Sequence, residues 1–404
     1  MLRLFQGKDS MAKWDVIVVG AGVIGTSVAW HLARLGARKV LVIEQGQVGS
    51  GTTAQSSGIL RTHYSVPENV DLARRSWSAF KQFDAYLDDK DASSGLVQCG
   101  YLIAAPSGDK LDALRQSLLE QQAKGITLEF LSPTQAQERL PIAHFDDAAL
   151  IGYEPDAGFA DAYLVTTGFA KAARRLGVQI QEGVRVDGLI RDGLRVVGVQ
   201  TSTGPHYAGC VVSTQNIWSA QLQDWTGIHV PLQAERHSVL ALKGPQAYTH
   251  QMPVFKDLGS VGMLYCRSYG GNQMLVSEGT AGEHLQTLIS EQGDITMDQV
   301  VQVGQQVAQR FPSFAEAGLA SSWTGIYDVT PDWNPVLGRL PDVPGLIVGF
   351  GFSGHGFKLS PAVGRILAQE ALDMATDVSL VPYAHERFRK GKLLIGRYGQ
   401  GAVS

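Results

Sequence analysis

The run Gly20-Ala21-Gly22-Val23-Ile24-Gly25 constrains this chain more than any other feature. An apolar, β-branched stretch, WDVIVV at residues 14–19, precedes it and reads as a strand. After it, Val28, Ala29, Leu32 and Leu35 recur at helical spacing, and Gly36 stops the helix predicted over 25–35. Residues 39–43, KVLVI, then predict a second buried strand that ends at Glu44. Strand, helix and strand fill about 30 residues, the length a βαβ unit needs to lay two parallel strands side by side. In that context each glycine has a task. Gly20 permits the tight turn, Gly22 lets backbone approach a pyrophosphate, and Gly25 lets the helix pack close to the strand. The helix start offers free N–H groups and partial positive charge, so Ala21, Val23 and Ile24 join the expected phosphate contacts. Glu44 lies 19 residues past Gly25, where a carboxylate accepts both ribose hydroxyls and repels a 2′-phosphate. The motif predicts a dinucleotide site for NAD or FAD and disfavours NADP.

Composition excludes several classes. The 404 residues allow two domains and an enclosed site. Glycine accounts for 46 positions and charged residues for only 18%, against a usual ~25%. That balance argues against disorder and for tight turns and backbone-lined pockets. A formal charge of −4 with no long basic block predicts neither nucleic acid nor an anionic membrane as partner. Cys99, Cys210 and Cys266 are far apart and form no CxxC pair, so no disulfide framework and no metal site is expected. The N-terminus lacks the apolar run of a secretory signal. The uncharged stretches 16–33 and 196–223 are broken by glycine, proline and polar residues, so neither predicts a bilayer span. The expected location is the reducing cytoplasm.

Farther along, 71–86 and 110–124 read as helices, and the alternation from Val178 to Gly204 predicts short strands of a meander. VVSTQ at 211–215 is a buried strand, 236–280 holds several strand-like runs, and 298–311 is a helix closed by Pro312. Nucleotide-binding features occur at the start, middle and end, with strand-rich sequence between them. The expected fold is α/β, a Rossmann-type nucleotide domain interleaved with an antiparallel-sheet substrate domain. Its nucleotide segments are 12–87, 155–225 and 326–404; its substrate segments are 88–154 and 226–325.

Two loops bear on NAD against FAD. The polar stretch from Gln45 continues through Gly51, Thr52, Thr53, Ser57 and Gly58 into GILRTHY, all candidate cofactor contacts. Near the C-terminus, GFGFSGHGFK precedes a helix. Gly351, Ser353, Gly354, His355, Gly356 and Phe357 let backbone approach a flat ligand. The helix start and Lys358 place positive charge where a reduced flavin's N1–C2=O edge becomes negative. This arrangement favours FAD and leaves NAD as the alternative.

GAGVIG with Glu44, then SGTTAQSSGILRTHY, WTGIYDVTPDWNPVLG and GFGFSGHGFK, together resemble the D-amino-acid-oxidase superfamily of flavoproteins, nearest its sarcosine oxidase, glycine oxidase and proline dehydrogenase branch. The resemblance implies an FAD-binding Rossmann domain and an antiparallel sheet over the flavin. It implies hydride transfer from the C–H beside a substrate amine, giving an imine that hydrolyses. Val186 matches the valine whose backbone meets the adenine. Arg61 matches an arginine that pairs with the substrate carboxylate, Lys358 the lysine that helps it, and His355 a histidine near the flavin. Tyr64, Tyr265 and Tyr327 are candidate aromatic walls.

Departures from the family pattern are equally specific. Gly325 stands where one branch anchors its flavin through cysteine, and Gln55 where another uses histidine, so non-covalent FAD is expected. His63 and Cys266 remain as other candidate anchors. QMLVSEG lacks the lysine that activates oxygen in sarcosine oxidase, which leaves the electron acceptor open between oxygen and a protein or quinone. Gln215-Asn216 replaces the usual Ala-Gly pair. The resulting expectation is FAD-dependent oxidation of a small secondary or N-methyl amino acid. An alternative is the flavin subunit of a heteromeric complex, with the basic tail Arg387–Lys392 either a docking surface or a solvated helix end.

Overall fold

The computed structural model describes residues 14–245, 252–279, 282–285 and 295–396. Its opening βαβ unit forms as the glycine pattern predicts. Strand Trp14–Val19 lies between Val40–Ile43 and the end of Gly204–Ser213, parallel to both. Buried on both faces, these strands are continuous apolar runs with no alternation. Leu346–Phe350 adds in parallel beyond Gly204–Ser213, Val336–Arg339 closes that edge antiparallel, and Gln179–Gln181 closes the other. The hairpin Val186–Asp192 and Arg195–Thr201 extends from Gly204–Ser213, giving an eight-stranded sheet.

Helix Val23–Arg34 crosses one face of this sheet. It packs against the C-terminal helix Gly356–Ala371, where the Ser27 hydroxyl donates to the Ser360 carbonyl at 2.9 Å and Gly364 leaves room for the Ser27 side chain. Sequence positions 333 residues apart are thereby joined just past both glycine loops.

A nine-stranded sheet forms the second layer, in the order Glu283–His284, Gln233–Lys243, Gln273–Ser277, Tyr265–Tyr269, Val254–Asp257, Tyr101–Ala105, Leu150–Glu154 and Glu129–Leu131, with Gly318–Val329 pairing Gln233–Lys243. The pair Val254–Asp257 with Tyr101–Ala105 is parallel; the others are antiparallel. The two sheets draw their strands from alternating stretches of chain. On the outer face of the second, Phe145, Phe255, Cys266, Met274 and Phe311 form an apolar cluster under helix Met297–Arg310. The inner face turns toward the nucleotide sheet.

Some predicted elements shift. The helix expected over 71–86 begins at Pro67, whose fixed φ suits a first helical position. It breaks at Gln82 (φ −129°, ψ 48°) before the short helix Phe83–Leu87. The opening helix starts at Val23, two residues early. The basic tail divides: Arg389, Lys390 and Lys392 are exposed. Arg387 is buried, its guanidinium bonding Asp332 Oδ1 and Oδ2 at 2.9 and 2.7 Å, which pins the tail to the loop after strand Gly318–Val329. Among the described residues, no helix is long and apolar enough to cross a membrane, and no group of three His, Cys, Asp or Glu side chains could hold a metal. The three cysteines are free.

Candidate active site

Between the sheets lies a cavity of about 390 Å³, within the roughly 300–1,000 Å³ of cofactor and ligand pockets. Backbone from the first βα turn forms one end. Gly20 holds φ +98°, and a Cβ there would stand 2.8 Å from the Thr214 carbonyl oxygen. A side chain on Gly25 would drive into the Gly20 carbonyl, so that glycine serves helix packing and lies outside the lining. A Cβ on Gly22 would lie 3.1 Å from Thr53 Oγ1, within the space the cavity occupies. The Thr53 hydroxyl already accepts the Val23 N–H at 3.1 Å. Both Glu44 oxygens accept backbone bonds, from Ala21 at 2.7 Å and Gly46 at 2.8 Å. This fixes the carboxylate at the cavity wall with lone pairs to spare for hydroxyl donors. Gln45, Gly51, Thr52, Ser57 and Val186 also line this half, with Ile24 and Val23.

Gln215 and Asn216, whose replacement of an Ala-Gly pair had no sequence-level meaning, line the cavity opposite that turn. Asn216 takes a left-handed conformation (φ +51°), and its Oδ1 is buried without a hydrogen-bond partner. Trp218, just beyond, stands over Gly51.

The inner face of the nine-stranded sheet closes the other half. Tyr265, His237, Val239, Gly325 and Tyr327 line it. His237 stacks on Tyr327 at 4.0 Å, and its Nε2 is buried without a hydrogen bond. Burial, with the neighbouring Tyr265 phenol, holds the Tyr327 hydroxyl well above the usual phenol range. Gly354 (φ +83°) lets the C-terminal loop lie against the Tyr327 ring, where any Cβ would collide. Asp328 orders that loop by accepting the Gly351 and Phe352 N–H groups at 2.6 and 3.1 Å. Burial pushes its carboxyl up to about 7 against the pull of those bonds.

Gly325 and Gln55, the two positions without an anchoring side chain, lie side by side in this half. Gln55 Oε1 accepts the Ile326 N–H at 3.0 Å, and both residues line the cavity. Cys266 points away into the outer apolar cluster. His63 is buried, with Nδ1 engaged by Glu154 at 2.5 Å.

Beyond the lining, the structure gathers a group of buried cations. Arg61 is 4% exposed; its guanidinium lies 4.7 Å over the Tyr64 ring and donates to the His63 carbonyl at 2.9 Å. The Tyr64 ring approaches His355 at 5.4 Å, and His355 caps the helix whose first turn carries Lys358. Neither Arg61 nor Lys358 has a carboxylate ion pair among the described residues. The Tyr64 hydroxyl and His355 Nδ1 are buried without hydrogen bonds. Burial, then Arg61 and Lys256, press the Lys358 ammonium well below its ordinary range. Burial and the three cations Lys358, Arg61 and Lys256 keep His355 neutral.

Lys256 escaped the sequence reading. It is a cross-strand partner of Tyr265, so both side chains leave the same, inner face, while Phe255 and Cys266 leave the outer one. Burial, followed by Arg61 and Lys110, pushes its ammonium down to about 7. Glu154, His237 and Asp328 were missed for the same reason: single polar residues inside apolar strands reveal their face only once register is fixed. Of the expected contacts, Ala21, Gly25, Gly58, Gly351, Ser353, His355, Lys358, Arg61 and Tyr64 lie outside the cavity lining. Gly58 packs instead on the Ala160 carbonyl, and Ser353 bonds within its own loop.

A dinucleotide site between a Rossmann-type sheet and an antiparallel sheet defines a flavoenzyme class, and the sequence confirms it. The DAO family of FAD-dependent oxidoreductases matches residues 15–370, and the chain belongs to that family. FAD is therefore its cofactor, and NAD is set aside. The Gly22 cradle and the orphaned Asn216 Oδ1 in the cavity wall fit such a ligand. The chain is similar to the sarcosine oxidase subunit beta of Arthrobacter sp, at 28% identity over 411 residues covering 99% of this chain and 97% of that protein. Among solved structures it is similar to L-proline dehydrogenase from P.horikoshii, with TM-score 0.86 and 25% identity over 94% of this chain and 99% of that one. The glycine oxidase of Geobacillus kaustophilus shares the fold, with TM-score 0.80 and 24% identity over 92% and 98% of the respective chains.

Proposed function

We propose that this flavoenzyme oxidises a small amino acid with a secondary or N-methyl amine, sarcosine-like or proline-like. One observation carries the reading: Arg61 and Lys358 are buried together without a carboxylate ion pair among the described residues. Uncompensated buried charge is costly, so this pair awaits an anion, and the substrate carboxylate supplies it. FAD, when bound, supplies a hydride acceptor for the C–H beside the amine, leaving an imine that water hydrolyses. Gly20, Gly22, Val23 and Ile24 hold its pyrophosphate, Glu44 its ribose and Val186 its adenine. The loop from Gly351 to Lys358 meets its ring. Arg61 and Lys358 orient the substrate acid, and Tyr265 and Tyr327 close the pocket and exclude water. Much of the rate then comes from positioning. His355, held neutral, adds no charge to compete for the acid. The names of the relatives support this substrate class.

Anaerobic bleaching of the flavin by N-methyl, cyclic and primary amino acids tests the reading. Secondary amino acids should bleach it at far lower concentration than amines lacking a carboxylate. Equal bleaching by both would overturn it. The FAD is held without a covalent link, because Gly325 and Gln55 offer no nucleophile. Acid precipitation should leave the yellow colour in the supernatant.

The domain division follows the same reading, with FAD-binding segments 12–87, 155–225 and 326–404 and substrate segments 88–154 and 226–325. A second reading rests on the near full-length likeness to a subunit named beta. The chain would then act within a heteromeric complex that passes electrons to a partner. Gel filtration beside turnover with oxygen or an artificial acceptor separates a self-sufficient enzyme from such a subunit.

A further inference from the structure

We propose that Glu154 is a positioning residue that aims Arg61 at the substrate acid; the inference rests on the carboxylate-clamp reading of Arg61. Strand pairing fixes the chain only as far as Leu60, through Ile59–Leu60 against Gly158–Phe159. The next four residues include Arg61 and Tyr64 and have no ladder to hold them. Glu154, 1% exposed at the end of strand Leu150–Glu154, performs that task from the second sheet.

Its contacts form a bridge. Oε1 accepts the Thr62 N–H at 2.8 Å and the Thr62 hydroxyl at 2.5 Å. Oε2 faces the His63 N–H at 3.4 Å and His63 Nδ1 at 2.5 Å. A carboxylate oxygen can only accept, so His63 Nδ1 carries the proton and donates it to Glu154, while burial holds the ring below its ordinary range. The His63 carbonyl, thus immobilised, accepts Arg61 Nη1. Tyr101, the cross-strand partner of Glu154, contacts both the His63 ring (4.9 Å) and the Arg61 guanidinium (5.9 Å). Glu154 therefore reaches Arg61 through the carbonyl it fixes itself and through a ring on the strand paired with its own.

A charge role and a positioning role predict different outcomes. As a negative charge alone, Glu154 would repel a substrate acid, and any carboxylate there would serve equally. As a bridge, it must span Thr62 and His63 together, and a side chain one methylene shorter cannot. Glu154→Asp keeps the charge and breaks the span.

The test uses the FAD-loaded full chain, with acetate titrated against the flavin absorption of wild type, Glu154→Asp, Arg61→Met and the double variant. Arg61→Met should weaken acetate binding about tenfold or more. Glu154→Asp should weaken it several-fold, and the double variant should be no weaker than Arg61→Met, because residues acting through one another are not additive. An unchanged constant in Glu154→Asp, or additive losses in the double variant, would overturn the proposal. An unchanged constant in Arg61→Met would instead overturn the clamp reading, and the proposal with it. A second pair of variants works from the other side of the bridge. His63→Leu removes the donor and should weaken acetate binding, while His63→Asn places an amide N–H near the Nδ1 position and should restore it. Equal losses in both would contradict the bridge.

Discussion

At the nucleotide end the cavity wall is backbone and small side chains: Gly20, Gly22, Thr52 and Thr53, with Glu44 already held by two N–H groups. At the far end the surroundings are ionisable side chains, with Arg61, Lys256 and Lys358 buried around His355 and Tyr64. At the first end Glu44 and the Val23 N–H are already held within the chain, while Asn216 Oδ1 keeps no partner. The second carries Arg61 and Lys358 without a carboxylate ion pair among the described residues, beside the orphaned Tyr64 hydroxyl and His355 Nδ1, and on the proposed reading an anion completes it. On the proposed reading, cofactor recognition rests on shape and backbone, and substrate recognition on charge.

Substitutions at each end should therefore fail differently. The largest effect is expected at Gly20. Alanine there must take φ +98° with its Cβ against the Thr214 carbonyl, so Gly20→Ala should lose FAD on gel filtration, whereas a variant that keeps its full FAD content would show that the turn can relax. Next is Glu44→Gln. Removing a charged acceptor from the ribose should cost roughly 1.5–3 kcal/mol of FAD affinity, measured by fluorescence quenching on reconstitution, with the amino-acid response of the remaining holoenzyme unchanged.

A third effect belongs to pH and to the charged end alone. Folded Lys256 has its ammonium pushed from 10.5 down to about 7, so the unfolded chain binds more protons between those values. Its contribution to stability is present above about pH 10.5 and is lost as pH falls toward about 7. The unfolding free energy of wild type should rise with pH relative to Lys256→Met by at most about 1.4 kcal/mol per unit across that window. Parallel curves would show that Lys256 keeps its proton in the folded protein.

The contrast between the two ends also explains what could be read in advance. The βαβ unit, the glycine tasks and Glu44 are contiguous, and local spacing alone specifies them. Arg61 and Lys358 were legible through family resemblance, since nothing local marks GILRTHY or GHGFK as a clamp. Lys256, Glu154 and His237 were not legible, because each lies in a strand whose inner face depends on register with strands far away in sequence. Asp328 and Arg387 show the same limit from the packing side. An aspartate in a strand and an arginine in a basic tail read as polar surface until the Gly351 loop and Asp332 are seen against them.

The central claim is that Arg61 and Lys358 wait for a substrate carboxylate. It is tested most directly by anaerobic flavin reduction of Arg61→Met with an N-methyl amino acid and with the matching amine that lacks the acid. The clamp predicts that the half-reducing concentration rises about 10–150-fold for the acid and stays nearly constant for the amine. Equal losses for both would contradict it and leave Arg61 a structural residue.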